Sequence, residues 1–167
     1  MSADSPRRLI PPEVSACQKE NLGDVHELLE AVPGAAAWST VSLADTFEHY
    51  PAYFFVGWQG DELSGFISGR KIADEGEILN LAVRPHSRRC GVGTALVRSL
   101  LELFAQEAVL TVFLEVRESN SQAIAFYQRL GFRPSGRREG YYRDPIEAAL
   151  ILSLGLGPQA GTGRSNA

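Results

Sequence analysis

Residues 79–132 read LNLAVRPHSRRCGVGTALVRSLLELFAQEAVLTVFLEVRESNSQAIAFYQRLGF, and the rest of the chain can be placed around this stretch. Its first residues predict a β-strand. A glycine-rich turn at residues 88–93 follows directly. The apolar residues beyond the turn recur at helical spacing, which predicts an amphipathic helix from Gly91 to about Glu107.

The second half of this stretch predicts a buried strand at residues 110–116, because β-branched and aromatic residues predominate there. A capping-box pattern at residues 119–122 opens a short helix to Leu130, and Gly131 is suited to end it. Apolar patterns bounded by turn residues predict six further strands, at Val14–Gln18, Tyr53–Trp58, Leu63–Ile72, Glu77–Val83, Phe132–Glu139 and Ala148–Leu154. They also predict two helices. The first is Leu22–Val32, capped by Asn21, and the second runs from a Ser42 cap through Tyr50. This order predicts an α/β (α+β) fold with one mixed, mostly antiparallel sheet of about six to seven strands and helices on both faces.

The chain has 167 residues, and its length predicts one folded domain, at residues 13–155. Residues 1–12 are polar and proline-rich, which predicts a flexible lead. Residues 156–167 are rich in glycine and nearly devoid of apolar side chains, which predicts a disordered tail.

The formal net charge of −4 argues against a direct nucleic-acid partner, whose binding would depend on a basic surface. No apolar run approaches the roughly 20 residues that span a bilayer, and the N-terminus lacks the apolar core of a signal peptide, so no membrane partner is expected. Two cysteines, Cys17 and Cys90, cannot form a disulfide framework, and no ligand cluster indicates a metal. We therefore predict a cytoplasmic, reduced protein.

The glycine-rich turn at residues 88–93 can bind an anion, because a helix N-terminus offers unpaired N–H groups and a partial positive charge. Gly91 and Gly93 allow an anion close to the main chain, and Arg88 and Arg89 add cationic donors. The turn lacks the ending of a Walker A loop and does not fit the dinucleotide fingerprint. Taken alone, it is equally compatible with a tight turn that binds nothing.

A larger set of motifs is more specific. The strand Leu79–Val83, the turn R-x-x-G-x-G at residues 88–93, and Asn120 followed by Phe126-Tyr127 and Leu-Gly-Phe at residues 130–132 resemble the GCN5-related N-acetyltransferase (GNAT) superfamily. The chain is most similar to the RimI-type N-terminal acetyltransferases. Leu-Glu-Val-Arg at residues 114–117, Tyr141-Tyr142 and Trp38 match features of that group.

This resemblance implies that the chain uses acetyl-CoA as a co-substrate. Arg88, Arg89, Gly91, Val92, Gly93 and Thr94 would bind the pyrophosphate, and the backbone of Leu81, Ala82 and Val83 would pair with the pantetheine arm. Asn120 would support the cofactor near its thioester. The acceptor would be a protein N-terminus, by resemblance the N-terminal alanine of a small-subunit ribosomal protein, with Trp38, Tyr141 and Tyr142 around it.

Two residues are candidates for proton transfer. Glu115 places a carboxylate inside an apolar strand, which costs free energy unless the group is hydrogen-bonded or functional, and the resemblance implies that it is the base. Tyr127 lies in the apolar stripe of a predicted helix, where aromatic residues usually belong to the core. The resemblance implies instead that Tyr127 is the acid that protonates the coenzyme A thiolate.

Several alternatives stay open from the sequence. The acceptor could be a lysine side chain or a small amine, and a non-catalytic CoA sensor is a further alternative. Trp38 and the tyrosine pair would also suit a hydrophobic lid, and three alanines precede Trp38 where the family has a bulky residue or proline. Arg133, Arg137, Arg138 and Arg143 could be a solvated strand face or a docking patch for an acidic or ribosomal partner. Covalent catalysis by Cys90 lacks a neighbouring base in sequence.

Overall fold

The computed structural model describes residues 10–35 and 38–157. The predicted lead at residues 1–12 and the predicted tail at residues 156–167 lie mostly outside the described residues, as do two of the three alanines before Trp38.

The described residues form seven strands and four helices. In chain order they are β1 (Glu13–Ala16), α1 (Leu22–Ala31), α2 (Thr40–His49), β2 (Phe54–Gln59), β3 (Glu62–Ile72), β4 (Glu75–Val83), α3 (Val92–Gln106), β5 (Thr111–Arg117), α4 (Ser121–Arg129), β6 (Arg133–Arg143) and β7 (Ile146–Gly155). The strands form one sheet in the order β1-β2-β3-β4-β5-β7-β6. The β4–β5 pair is parallel and the β5–β7, β6–β7 and β1–β2 pairs are antiparallel, so the predicted mixed sheet is confirmed.

Residue contacts divide the chain into two compact units. The first unit contains Met1–Ile67 and Leu81–Val97, and the second contains Ser68–Asn80 and Arg98–Ala167. Strands β3 and β4 and helix α3 each contribute residues to both units. None of the helices within the described residues is both long and apolar enough to cross a membrane.

Both faces of the sheet carry helices in the first unit. Phe66 of β3 is fully buried in a core cluster that contains Leu28 of α1 and Leu43 of α2. Its neighbour Gly65 lies so close to α3 that an added Cβ would be 2.7 Å from Val92 Cγ1. Because successive strand residues point to opposite faces, α1 and α2 cover one face of β3 and α3 covers the other.

The second unit repeats this close packing of α3 on the sheet. An added Cβ at Gly69 would be 3.0 Å from Leu100 Cδ2, and one at Gly76 would be 2.9 Å from Phe104 Cδ2. In β5 the even-numbered residues 112, 114 and 116 are buried, whereas Phe113 and Glu115 are half-buried on the other face. Strand β6 is an edge of the sheet, and nearly all of its residues are exposed.

The predicted elements match the observed ones within a few residues, but their caps differ. Ser39, not Ser42, caps α2, because the Ser39 hydroxyl accepts the Ser42 N–H at 3.1 Å. Asn120, not Ser119, caps α4, because Asn120 Oδ1 accepts the Ala123 N–H at 3.1 Å. In both cases several adjacent residues can cap a helix, and the sequence pattern does not select among them.

The contact between Gly65 and α3 gives a first prediction. We expect Gly65→Ala to lower the free energy of unfolding by about 1–3 kcal/mol, because the new methyl group would overlap Val92 and Leu96 side chains already in a packed core. Denaturant unfolding monitored by circular dichroism measures this change.

The matched control is Gly23→Ala, in helix α1, where no atom lies within 4 Å of an added Cβ. This variant should instead gain roughly 0.5–1 kcal/mol, because alanine is the better helix former. Equal effects of the two substitutions would contradict the close approach at Gly65.

Candidate active site

The turn before α3 exposes the start of the helix. Gly91 has φ = +85° and Arg89 has φ = +61°, so the chain turns through two left-handed residues. Val92 is then buried against the sheet, and the Ala95 N–H donates to the Gly91 carbonyl at 2.9 Å. The N–H groups of the first helical turn, including those of Gly93 and Thr94, have no partner within the helix and remain available to an anion.

The residues beside this turn fit a bound phosphate group. Arg88 and Arg89 are exposed cations, and the hydroxyl of the buried Ser87 has no protein partner among the described residues. Buried hydroxyls normally have a partner, so a ligand or water is expected to complete this one. The two arginines beside the start of α3 are compatible with the predicted anion site, which stays a prediction.

The predicted pantetheine strand is the end of β4. Ala82 is buried, and Leu81 and Val83 are half-buried. Arg88 Nε lies 3.4 Å from the Val83 carbonyl, which is a long contact for a hydrogen bond.

In the second unit, Glu115 has two partners on strand β6. Arg138 Nε lies 3.1 Å from Glu115 Oε1, and the Tyr141 hydroxyl donates a hydrogen bond to the Glu115 carboxylate. The Glu115 side chain is 20% exposed, whereas that of Arg138 is 57% exposed. The carboxylate is therefore desolvated in part and satisfied by a cation and a phenol, which answers the cost of placing it in an apolar strand.

An open cleft of about 500 Å³ lies beside Glu115. Its wall includes Phe113 and Ile151, and its rim includes Arg138 and Tyr141. The β4–β5 register runs from Glu75↔Thr111 to Ile78↔Leu114, and the cleft extends along β4 to Glu75, the first residue of that strand. A carboxylate at the end of an open cleft can meet a small group that enters from solvent.

The hydrogen bond to Glu115, more than partial burial, raises the pKa of Tyr141 above its ordinary value. The neighbouring Tyr142 packs edge-on against Tyr141, with ring centroids 5.2 Å apart. Burial first, and then the charge of Glu115, raise the pKa of Tyr142. Both phenols are therefore hydrogen-bond donors at neutral pH.

A second network holds Tyr142. The Arg117 guanidinium lies 4.1 Å from the Tyr142 ring centroid and pairs with Glu147 at 2.9 Å. Glu147 also accepts the Ser119 N–H and hydroxyl, each at 3.1 Å. The hydrogen bonds from Arg117 and Ser119 lower the pKa of Glu147, so this carboxylate stays charged and ties the β6–β7 hairpin to the end of β5.

Tyr127 lies on helix α4 in an aromatic cluster. Its ring centroid is 5.1 Å from that of Phe126 and 5.5 Å from that of Phe132, both in edge-on contacts. Burial raises the pKa of Tyr127 far above its ordinary value. The hydroxyl therefore carries its proton at neutral pH, as both the core and the acid interpretations require.

Two predicted site residues have structural roles of their own. Asn120 uses Oδ1 to cap α4, which leaves its Nδ2 group for any ligand. Trp38 belongs to the first unit, where its ring packs on the core with its centroid 6.4 Å from that of Phe54. The packing of Trp38 is that of a partly buried core residue.

Sequence reasoning missed the partners of Glu115 and treated the arginines of β6 as one group. Arg138 pairs with Glu115, and Arg137 makes a two-point contact with Glu118 at 2.8 and 2.9 Å and also pairs with Glu139. Two of the four arginines thus have acidic partners within the chain. The proximity of Arg138 to Glu115 depends on the β5-β7-β6 order and on a register shift after Arg138, neither of which has a sequence signature.

The fold and these motifs agree with comparisons to known proteins. Residues 22–132 match the acetyltransferase (GNAT) family, so the chain belongs to that family. The family is one of acetyltransferases, and the predicted fold and class of enzyme are confirmed at that level.

Individual members of this family are also similar to the chain. The chain is 38% identical over 98 residues to the ribosomal protein bS18-alanine N-acetyltransferase of Escherichia coli K12, an alignment that covers 58% of this chain and 66%, just under two thirds, of that protein. It is 32% identical over 134 residues to a putative enzyme of the same name from Bacillus subtilis, covering 80% and 88% of the two chains. The crystal structure of the ribosomal-protein-S18-alanine N-acetyltransferase from Escherichia coli superposes with a TM-score of 0.79 at 29% identity, over 93% of this chain and 99% of that one. The predicted similarity to RimI-type enzymes is confirmed.

The burial of Tyr127 gives a second prediction. A tyrosine whose pKa is raised on folding stabilises the protein fully below the ordinary tyrosine pKa of about 10, and this stability is lost as the pH rises above that value. We expect Tyr127→Phe, which has no proton to lose, to weaken this alkaline loss by up to about 1.4 kcal/mol per pH unit. Urea unfolding of both proteins at pH 8 and pH 10.5 measures the difference, and parallel losses would show that Tyr127 is not buried as described.

Proposed function

We propose that this protein is an acetyl-CoA-dependent Nα-acetyltransferase that acts on the N-terminal amine of a protein. The observation that carries the proposal is the Glu115 carboxylate, half-buried at an open cleft and hydrogen-bonded by Tyr141. The names of the Escherichia coli and Bacillus subtilis relatives support the same reaction.

Acetyl-CoA supplies the activated acetyl group. Arg88, Arg89 and the N–H groups of Gly91, Val92, Gly93 and Thr94 bind its pyrophosphate, as expected for an anion at a helix N-terminus. The backbone of Leu81, Ala82 and Val83 pairs with the pantetheine arm, and the Nδ2 group of Asn120 supports the cofactor near its thioester.

The residues of the chain move two protons during direct transfer in a ternary complex. Glu115 takes a proton from the acceptor nitrogen as the N–C bond forms. Tyr127 donates its hydroxyl proton to the sulfur as the C–S bond breaks. Exchange with solvent then returns a proton to Tyr127 and removes one from Glu115, so the enzyme is unchanged overall.

The proposed acceptor is the N-terminal alanine of a small-subunit ribosomal protein. This choice rests on the substrate printed in the names of the relatives. Tyr141 lines the cleft and Tyr142 packs edge-on against it, and both phenols would bind the acceptor backbone. By the same resemblance to RimI-type enzymes, Trp38 would also contact the acceptor.

Two other functions would use the same fold. An enzyme for lysine side chains or small amines would keep the same base and acid. A CoA-binding sensor would need neither Glu115 nor Tyr127, so the presence of both residues argues against it.

A peptide panel tests the proposal. It contains peptides that start with Ala, Ser, Met and Gly, lysine peptides blocked at the N-terminus, and a few polyamines. We expect acetylation of free N-termini, with the Ala-starting peptide preferred, followed as thiol release and as a gain of one acetyl group in the intact mass. Turnover only on lysine or polyamines would leave the fold and overturn the proposed acceptor.

The same assay tests Glu115 as the base. Glu115→Gln should lower turnover by about 100-fold or more while CoA affinity stays nearly constant, since a positioned base contributes that much. The control is Glu118→Gln, which removes a neighbouring exposed carboxylate that pairs with Arg137 outside the cleft. If Glu115→Gln and Glu118→Gln are equally active, Glu115 is not the base.

Charge reversal tests the anion site. Replacing Arg88 and Arg89 together by Glu should weaken CoA binding about tenfold or more, because charged donors to the pyrophosphate are lost. Arg98→Glu, on the exposed side of α3, is a control for reversing one charge away from the turn, and it should change binding little. Isothermal titration calorimetry at fixed salt measures both, and equal affinities would exclude the proposed role of the two arginines.

A further inference from the structure

Arg138 forms an ion pair with Glu115, the carboxylate on which the proposed reaction depends. Its Nε atom lies 3.1 Å from Glu115 Oε1, and its guanidinium lies 5.8 Å from the centroid of the Tyr141 ring. The Arg138 side chain is more exposed than that of Glu115, and both side chains line the cleft. Any amine that approaches Glu115 from the cleft therefore meets a positive charge.

The other charged groups of the cleft show why the charge of Arg138 matters, since the second arginine there, Arg70, is already paired. Glu77 pairs with Arg70, with Arg70 Nη2 2.6 Å from Glu77 Oε2. Glu75 is exposed at the far end of the cleft. With Arg138 in place, the charge of Glu115 is compensated locally, and without it Glu115 would be an uncompensated carboxylate in a partly desolvated cleft.

The two classes of acceptor differ in charge. An α-amino group has a pKa of about 7.7–8.0, whereas lysine has one of about 10.4, so at neutral pH only the former has an appreciable neutral fraction. A bare carboxylate attracts lysine ammonium and polyamines, and they would occupy the cleft in an unreactive form. A carboxylate already paired with a guanidinium attracts them much less.

We propose that Arg138 is a specificity-determining residue: its ion pair with Glu115 excludes ammonium groups from the cleft and so selects α-amines over lysine side chains and polyamines. The inference rests on the proposed function, because it assumes that the acceptor amine approaches Glu115. Arg138 takes no part in the proton transfers. It acts through the charge it presents beside the base.

The test compares Arg138→Gln with the parent protein on an Ala-starting peptide, an N-terminally blocked lysine peptide and spermidine. We expect spermidine to inhibit acetylation of the Ala-starting peptide about two- to fivefold more strongly in Arg138→Gln, the range for one exposed ion pair. The kcat/KM ratio of α-amine over lysine peptide should fall by a similar factor. Added salt should reduce both effects.

Two variants serve as controls. Arg138→Lys keeps the positive charge and should retain most of the parent selectivity. Arg133→Gln removes the same charge from an exposed position near the start of β6 and should leave selectivity unchanged. Unchanged spermidine inhibition and selectivity in Arg138→Gln would overturn the proposal, as would an equal change in Arg133→Gln.

A readout without turnover separates this inference from the proposed function. Direct calorimetric binding of spermidine to the protein should be tighter in Arg138→Gln than in the parent, whichever acceptor the enzyme uses. If the parent acetylates no N-terminal amine but spermidine binding still tightens, the acceptor proposal fails and the charge role of Arg138 stands. If α-amines are acetylated and spermidine binding is unchanged, only the role of Arg138 fails.

Discussion

The close approach of helix α3 to the sheet is the constraint on which the rest of the structure depends. Glycines at residues 57 and 65 in the first unit and at residues 69 and 76 in the second leave no room for a Cβ beneath the helix. Val92, the first residue of α3, is buried against this surface in the first unit. The position of Val92 fixes where the helix begins, and therefore where its unpaired N–H groups and the two arginines of the preceding turn lie. An anion site built from main-chain groups needs such an anchor, because a helix that slid on the sheet would move every donor together.

The second unit is subject to a different constraint, because it holds the Glu115 carboxylate on a sheet face and leaves it accessible at a cleft. Glu115 is flanked on β7 by Ile151, its register partner, which has an apolar side chain. The polar contacts come from β6, one strand further, through Arg138 and Tyr141. Because β6 is an exposed edge strand, these partners lie outside the packed core.

Local patterns predicted most of the fold, and long-range geometry explains what they missed. The helical period of residues 92–104 and the β-branched run of residues 111–116 each specify an element through their own side chains. The cap of α2 is Ser39 and not the predicted Ser42, because either serine is a suitable cap and the local pattern does not select between them. The strand glycines carried a usable signal, since glycine inside a strand often marks a close backbone approach. The contact between Arg138 and Glu115 had no such signal. It depends on strand order and on a bulge in β6, both set by tertiary packing.

Glu115 and Tyr127, the two proposed proton-transfer groups, lie in different surroundings within the second unit. Tyr127 packs edge-on against Phe126 and Phe132, and its burial raises its pKa. Glu115 lies at an open cleft, paired with a guanidinium and hydrogen-bonded by a phenol. From periodicity alone, each of these residues is equally compatible with an ordinary core or solvated position. Tyr127 lies on an apolar helix face, whereas Glu115 pairs with a cation of an edge strand. This difference in surroundings is consistent with the distinct roles proposed for the two residues.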